Sequence, residues 1–243
     1  VYELIDNGYD VVVADNLETG FRKAVHPKAR FYQGDIRNKE FCDHVFSSEK
    51  IDAVIHFAAN SQVGESMVNP LKYYDNNLGG TRTMLQSMIE HGVKYIVFSS
   101  TAATYGEPER VPILETDPTH PTNCYGDTKL AMERMFYWAS VAHGIHFVAL
   151  RYFNACGAHM SGKIGEAHNL QVPNGQRDHV SIFGDDYPTR DGTCVRDYIH
   201  VTDLASAHIL AAEYLMNGGE NNVFNLGNGV GFTVKEIIDT AEK

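Results

Sequence analysis

Short apolar runs alternate with longer stretches of helical periodicity along the first two thirds of the chain. The runs are rich in β-branched residues, as in DVVVAD at 10–15. Continuous apolar strands that alternate with helices are typical of a parallel sheet covered on both faces, so we predict a doubly wound α/β fold. The predicted strands are 10–15, 29–34, 52–59, 95–100 and 146–153, and the predicted helices are 39–48, 71–91 and 124–143.

The pattern changes after residue 154. Segments rich in Gly, Asp and Asn replace the alternation, and one strong helical pattern covers Val201 to Met216. We therefore predict a main domain over residues 1–154. A smaller C-terminal lobe over 155–243 should follow, with some of its segments returning to the main domain.

Both ends of the sequence predict truncated elements. Val1 to Asn7 is typical of the end of a helix, with Gly8 as its C-cap. A doubly wound sheet of order 3-2-1-4-5-6 would place a strand and a glycine-rich turn before that helix, at the centre of the sheet. A further helix begins near Thr233 and is still in progress at Lys243. We expect the sequence to be part of a longer protein.

Composition narrows the classes of partner. The net charge of −11 opposes binding to nucleic acid and offers no basic surface for a membrane. No apolar run reaches the length of a membrane-spanning helix. The four cysteines are widely spaced, which is typical of reduced thiols in a cytoplasmic protein, and the histidines show no metal-ligand spacing. We expect no metal.

An acidic residue ends the first predicted strand. At that position in a dinucleotide-binding fold, a carboxylate such as that of Asp15 binds the adenosine ribose hydroxyls, and its charge favours NAD over NADP. Asn16 follows directly. An Asp-Asn pair is also a common turn signal, so this motif by itself is weak.

A stronger candidate site combines Tyr125 and Lys129 with Ser99 and Thr101. The tyrosine and lysine are four residues apart on one helix face, and the hydroxyls stand at the carboxyl end of a predicted strand. A nearby ammonium and a nicotinamide cation would lower the pKa of the phenol, so that it can take a proton from a sugar hydroxyl. A chance Tyr-x-x-x-Lys is more often an ordinary surface feature, and the hydroxyl cluster favours the functional interpretation.

Longer sequence motifs that include these residues occur in order along the whole chain. They resemble the UDP-glucose 4-epimerase family of the extended short-chain dehydrogenase/reductase superfamily, whose Rossmann-like domain binds NAD. The run that ends in RDYIHV is the most specific of them. The matching runs are VVVADNL, GDIR, VIHFAA, NPLKYYDNN, FSSTAATYG, CYGDTK, RYFN, IFGDDYPTRDGTCVRDYIHV and NLGNGVG.

The resemblance implies an isomerase of galactose metabolism that interconverts UDP-galactose and UDP-glucose through a transient 4-keto sugar, with NAD tightly bound. It assigns Tyr125 as the catalytic base, Lys129 as its partner and ribose ligand, and Thr101 as a hydroxyl relay. It also implies a homodimer paired through helices 71–91 and 124–143. The implied NAD-site residues are Asp15, Asn16, Asp35, Ile36, Phe57, Ala58, Ala59, Asn76, Ser99, Tyr125, Lys129 and Phe153. The implied UDP-sugar residues are Thr101, Tyr125, Asn154, Ser181, Ile182, Phe183 and Arg196, with 181–183 expected as a strand.

The sequence departs from the family pattern at several points. The glycine-rich phosphate loop and the family's C-terminal part are missing, and Ser61 stands where some members have a lysine. About ten family residues are lacking between Asn169 and Leu170. The sequence leaves open whether N-acetylated or pentose sugars are also substrates.

Two alternatives remain. The first alternative is another nucleotide-sugar epimerase or a 4,6-dehydratase of the same superfamily. A dehydratase, however, needs an acid where Ala102 and Ala103 stand. A non-catalytic NAD-binding protein is the second, although it would not need Tyr125, Lys129 and Thr101 together.

Overall fold

The computed structural model describes residues 1–165 and 181–241 of the chain. The expected gap between Asn169 and Leu170 therefore lies outside the described residues. The chain divides into two compact units: unit 1 is Val1–Tyr152 with Ala205–Asn225, and unit 2 is Phe153–Leu204 with Leu226–Lys243.

Unit 1 contains the predicted parallel sheet. Strands β1 and β2 pair in parallel, and a second sheet has the order β3-β4-β5-β9, in which β3 is parallel to β4 and β4 is parallel to β5. In the doubly wound order 3-2-1-4-5-6, β1 and β2 correspond to strands 2 and 3, and β3, β4 and β5 correspond to strands 4, 5 and 6. Parallel pairing brings the carboxyl ends of the strands to one edge, where ligands bind in such folds. The strands are β1 (Val12–Asp15), β2 (Arg30–Gln33), β3 (Ala53–His56), β4 (Tyr95–Thr101), β5 (His146–Tyr152) and β9 (Asn222–Leu226).

Helices flank these strands. The longest, α6, begins where the Asn123 side chain accepts from the Gly126 amide and ends at Gly144, whose left-handed φ of 67° suits a glycine C-cap. A core of buried Met, Phe, Ile and Leu side chains fills the space between α2, α5, α6 and the sheet. The helices of unit 1 are α1 (Tyr2–Asp6), α2 (Lys39–Ser48), α3 (Val63–Val68), α4 (Pro70–Tyr73), α5 (Gly80–Glu90) and α6 (Cys124–His143).

The predicted helix 71–91 is not one continuous α-helix. It consists of α4, a π-helical segment Tyr74–Gly79, and α5. The buried Asn77 amide lies in the π segment, where its Oδ1 accepts from the Asn60 amide at 2.8 Å and its Nδ2 donates to Thr128 Oγ1 at 3.0 Å. A wider turn of this kind often marks a functional position, and periodicity does not reveal it.

Within residues 153–165, 181–204 and 226–241, unit 2 has two small sheets. Strands β6 (Asn154–Cys156) and β8 (Tyr198–His200) are parallel, and β7 (Val195–Arg196) and β10 (Phe232–Thr233) are antiparallel. Helix α7 (Val201–Met216), of which residues 205–216 belong to unit 1, has the predicted bounds, and α8 (Val234–Ala241) of unit 2 begins next to Thr233, as predicted. None of the described helices is long and apolar enough to cross a lipid bilayer.

Candidate active site

The carboxyl end of β4 carries three buried hydroxyl residues, Ser99, Ser100 and Thr101. The chain turns sharply after them: Thr101 Oγ1 accepts from the Ala103 amide at 3.1 Å, and Thr104 Oγ1 donates to the Thr101 carbonyl at 2.9 Å. These local bonds hold the Thr101 side chain at the edge of the sheet.

The first turn of α6 packs closely on that edge. A Cβ on Gly126 would lie 2.6 Å from the Ala103 carbonyl oxygen, so only glycine permits this approach. The Tyr125 amide is held by the Ser66 hydroxyl at 3.1 Å. The Thr101 side chain lies near the Tyr125 phenol and acts to lower its pKa. The structure thus places Tyr125 and Thr101 near each other.

Lys129 is buried one helical turn after Tyr125. Its Nζ donates to the main-chain carbonyl of Ser99 at 2.7 Å. The ammonium lies 4.8 Å from the ring centroid of Phe98 and 5.8 Å from that of Tyr125. Burial lowers the pKa of Lys129 to about 7, and the charge of Glu133 opposes this shift.

The protein's own groups raise the pKa of the Tyr125 phenol above its usual value. Burial is the largest cause, the neighbouring Tyr152 adds to it, and the Thr101 side chain acts in the opposite direction. The expected lowering depended on two positive charges, the Lys129 ammonium and a nicotinamide. The chain supplies only the first of them, and burial is the largest cause acting on the pKa of the phenol.

A buried ion pair lies behind Lys129. Arg151 Nε donates to Glu133 Oε1 at 2.9 Å and its second nitrogen donates to Oε2, while the Ser100 hydroxyl donates to Oε1. The Arg151 guanidinium also lies 4.7 Å from the ring centroid of Tyr105. This cluster joins α6 to β4 and β5. The cluster was not predicted from the sequence, although Glu133 stands four residues after Lys129 on the same helix face.

The residues expected to bind the adenosine half of NAD follow β1 and β2. Asp15 Oδ1 accepts from the Leu17 amide at 2.6 Å, which fixes the carboxylate at the strand tip. Asn16 Nδ2 donates to Asp35 Oδ2 at 3.4 Å, so these two side chains are neighbours. Hydrogen bonds from Arg37 lower the pKa of Asp35 to about 2. Both carboxylates come from the edge of the sheet at which the fold class binds ligands.

Ile36 and Asn76 belong to the same unit and contact α5 and the π segment. A Cβ on Gly80, the first residue of α5, would lie 2.8 Å from Ile36 Cδ1. Asn76 Nδ2 donates to Asn77 Oδ1 at 3.0 Å. The structure therefore places Ile36 against the first residue of α5 and Asn76 within the π segment.

The turn after β3 combines an exposed apolar surface with an unsatisfied donor. The Phe57 side chain is 57 % exposed, Ala58 is exposed, and Ala59 is half-buried. Asn60 Nδ2 is buried and has no hydrogen-bond partner among the described residues. A buried donor without a partner is costly. An apolar strip with an orphaned donor at the ligand edge fits a dinucleotide.

The residues expected to bind UDP-sugar lie in unit 2, except for Thr101 and Tyr125. Both nitrogens of Asn154 donate to the Asp197 carbonyl, and Arg196 is exposed, with one guanidinium nitrogen bonded to its own strand. Phe153 is half-buried. The expected strand at 181–183 is wrong, because Ser181, Ile182 and Phe183 are irregular and pair with no described strand. Within residues 1–165 and 181–241, no group of three ligand-type side chains could hold a metal.

The fold and these side chains agree with a sequence comparison. The model of the NAD dependent epimerase/dehydratase family matches residues 1–227, and the chain belongs to this family.

Individual relatives carry the comparison further. A UDP-glucose 4-epimerase of Lacticaseibacillus casei is 59 % identical over 100 % of this chain and 76 % of its own length. The crystal structure of UDP-glucose 4-epimerase from Brucella ovis in complex with NAD has a TM-score of 0.95 and 45 % identity over 98 % of this chain and 76 % of that one. The Bifidobacterium longum enzyme, solved with NAD+ and UDP, has a TM-score of 0.92 and 41 % identity over 99 % of this chain and 77 % of that one.

Proposed function

We propose that this chain is a UDP-glucose 4-epimerase, which interconverts UDP-galactose and UDP-glucose with NAD bound. The observation that carries the proposal is the placement of Tyr125 and Lys129 one turn apart, against the hydroxyl-bearing end of β4. It occurs in a chain that is 59 % identical over its full length to an enzyme of that name.

Unit 1 is proposed to hold the cofactor along the carboxyl edge of its strands. Asp15 would bind the adenosine ribose, the turn after β3 would offer its apolar strip and the Asn60 donor, and Lys129 would bind the nicotinamide ribose. When bound, NAD would supply the acceptor and donor of the hydride that leaves and returns to the sugar. The proposed NAD-site residues of unit 1 are Asp15, Asn16, Asp35, Ile36, Phe57, Ala58, Ala59, Asn76, Ser99, Tyr125 and Lys129, and Phe153, the first residue of unit 2, is proposed as a further one.

Acid–base chemistry is assigned to Tyr125 and Thr101. The phenol takes the proton of the sugar 4-hydroxyl, directly or through the Thr101 hydroxyl, and gives it back after the 4-keto sugar has presented its other face. In its protonated form, Lys129 places a positive charge next to the phenol, which favours the ionised form of the phenol. Because the phenol is buried and its pKa is raised in the protein alone, we expect it to ionise readily only with the cofactor present.

Unit 2 is proposed to bind the UDP part of the substrate. The Arg196 guanidinium is exposed and suits a diphosphate, because its planar fork matches phosphate oxygens. Asn154 and the irregular segment Ser181, Ile182 and Phe183 complete the proposed nucleotide site. A firmly held nucleotide leaves the hexose free to turn, which inversion at C4 requires.

A homodimer is also proposed, through α4 and α6. These helices pack on each other, since Cys124 Sγ donates to the Pro70 carbonyl at 3.7 Å. Their outer side exposes large apolar side chains: Leu71 is 77 % exposed and Trp138 is 65 % exposed. Exposed apolar residues on neighbouring helices are typical of an interface.

Four free cysteines are consistent with the proposal that the enzyme works in the cytoplasm.

One assay separates the competing functions. The purified protein, supplied with NAD, is incubated with UDP-galactose, and the products are separated by chromatography. We expect UDP-glucose and no net reduction of free NAD. A 4-keto-6-deoxy product would instead identify a dehydratase. Bound NAD without any conversion of UDP-galactose would identify a non-catalytic binding protein.

A further inference from the structure

Asp197 joins two strands of unit 2. One carries Arg196, and the other pairs with the strand that begins at Asn154; both residues are proposed to bind substrate. Asp197 follows Arg196, the last residue of β7, and precedes Tyr198, the first residue of β8. Its main chain and its side chain make two separate sets of hydrogen bonds. Together these bonds join three segments that are distant in sequence.

The main-chain carbonyl of Asp197 holds Asn154. It accepts from the Asn154 amide at 3.1 Å and from Asn154 Nδ2 at 2.9 Å. Two bonds to one oxygen fix both the backbone and the side-chain orientation of this asparagine. The position of Asn154 therefore depends on the position of residue 197.

The carboxylate of Asp197 holds the glycine-rich loop 227–229. Its Oδ1 accepts from the Asn228 amide and its Oδ2 from the Gly229 amide, both at 2.9 Å. A Cβ on Gly227 would lie 2.5 Å from Oδ2, so the loop passes closer to the carboxylate than any other residue would allow. Asn228 Nδ2 also donates to the Tyr198 carbonyl. Bonds of backbone amides to an ionised carboxylate are among the stronger hydrogen bonds in proteins.

The loop also leaves Arg196 free for an anion. A bare carboxylate next to this arginine would compete with a diphosphate for the guanidinium. No described ion pair joins Asp197 to Arg196, and the guanidinium bonds only to the Val195 carbonyl among the described hydrogen bonds. The backbone amides of the loop thus satisfy the carboxylate in place of the arginine.

We propose that Asp197 is a positioning residue for nucleotide binding, which holds Asn154 and loop 227–229 in one arrangement around Arg196. The inference deepens the proposed function and rests on it. Asp197 acts through its neighbours. Its loss is therefore expected to weaken binding of the UDP part and to leave the acid–base step at Tyr125 unaffected.

Two variants perturb the same contact from opposite sides. Asp197→Ala removes the carboxylate, and Gly227→Ala pushes the loop away from an intact carboxylate. For each, KM and kcat are measured with UDP-galactose, the Kd of UDP alone by calorimetry, and bound NAD after denaturation. We expect KM and the UDP Kd to rise about tenfold, the size of effect that loss of charge-assisted hydrogen bonds produces. We expect kcat to stay within about twofold and the NAD content to be unchanged.

The controls separate this inference from the proposed function. Asp239→Asn removes an equal charge from the exposed side of α8 and should change none of these values. Asp197→Asn keeps the side-chain shape and one acceptor, so an intermediate rise in the UDP Kd is expected. It replaces Asp197→Ala if that variant does not fold. A wild-type protein that does not epimerise UDP-galactose overturns the proposed function. An active wild type with an unchanged UDP Kd in Asp197→Ala and Gly227→Ala overturns the role of Asp197.

Discussion

The Lys129 ammonium donates to the main-chain carbonyl of Ser99 at 2.7 Å. This bond ties α6 to the end of β4 and places a positive charge in the interior. Burial lowers the pKa of Lys129 to about 7, so the charge costs free energy of folding. Such a cost at a functional position is a common trade between stability and activity.

Lys129→Met should therefore stabilise the protein while removing its activity. In unfolded chains lysine has a pKa of about 10.4. Between pH 7 and about 10 the unfolded state then binds more protons than the folded state, and the stability of the wild type rises with pH. The variant should be more stable by about 1–3 kcal/mol at pH 7, since one pKa unit corresponds to about 1.4 kcal/mol. The gain should shrink as the pH approaches 10.

Urea unfolding of dinucleotide-free protein at pH 7 and pH 9.5 measures this effect. Lys94→Met is the matched control, because Lys94 also donates to a carbonyl, that of His143 at 3.2 Å, but from an exposed position. It should show no pH-dependent gain. Equal destabilisation of Lys129→Met at both pH values would contradict the cost of a buried charge.

Thr101→Val tests the hydroxyl relay. Valine keeps the shape of threonine and removes the oxygen, so kcat should fall about a hundredfold, within the usual effect of a positioned acid–base group. Thr101→Ser restores the hydroxyl and should recover most of the rate. Thr104→Val removes a buried hydroxyl that bonds to the Thr101 carbonyl, and it controls for local loss of stability. Equal rates for the Val and Ser variants at position 101 would remove Thr101 from the reaction.

Glu133→Gln should affect stability and pH dependence together. Breaking the buried pair with Arg151 leaves an unpaired charge, which costs about 3–5 kcal/mol. Because the charge of Glu133 raises the pKa of Lys129, its loss should move the alkaline limb of the kcat profile to lower pH. Glu90→Gln breaks the more exposed pair with Lys39 and should cost at most about 1 kcal/mol. An unchanged alkaline limb in Glu133→Gln would separate Glu133 from Lys129.

The proposed dimer predicts a change of mass on substitution of its apolar residues. Leu71→Glu combined with Trp138→Glu places two charges on the exposed side of α4 and α6, which should yield a monomer in analytical ultracentrifugation. Met160→Glu changes a residue of unit 2 that is 96 % exposed, and it should leave the mass unchanged. A wild-type monomer at micromolar concentration would refute the dimer.

Periodicity in the sequence predicts most of the fold, because unit 1 is built from regular elements. Helix 124–143 has the predicted bounds, and each of the five predicted strands exists: four are shorter than predicted, and β4 extends one residue further, to Thr101. The π segment was not predicted, because one wider turn barely disturbs the apolar repeat while a single amide, that of Asn77, depends on it. The strand expected at 181–183 needed a pairing partner, and a local pattern does not supply one.

Motifs predicted only those residues of the candidate site whose side chains have a recognisable chemistry. Tyr125, Lys129 and Thr101 could be grouped, since a helix turn and a strand end fix their spacing. Glu133, Arg151 and Asp197 were missed, because their roles depend on contacts between segments that are distant in sequence. The direction of the pKa shift of Tyr125 could not be predicted, because it depends on burial.

Tyr125→Phe tests the central claim most directly, by the rate of conversion of UDP-galactose in protein that retains bound NAD. Phenylalanine keeps the ring and removes only the ionisable oxygen. We predict a loss of turnover of about a hundredfold or more, with NAD content and the UDP Kd within about twofold of the wild type. Near-normal turnover in this variant would contradict the assignment of Tyr125 as the acid–base residue.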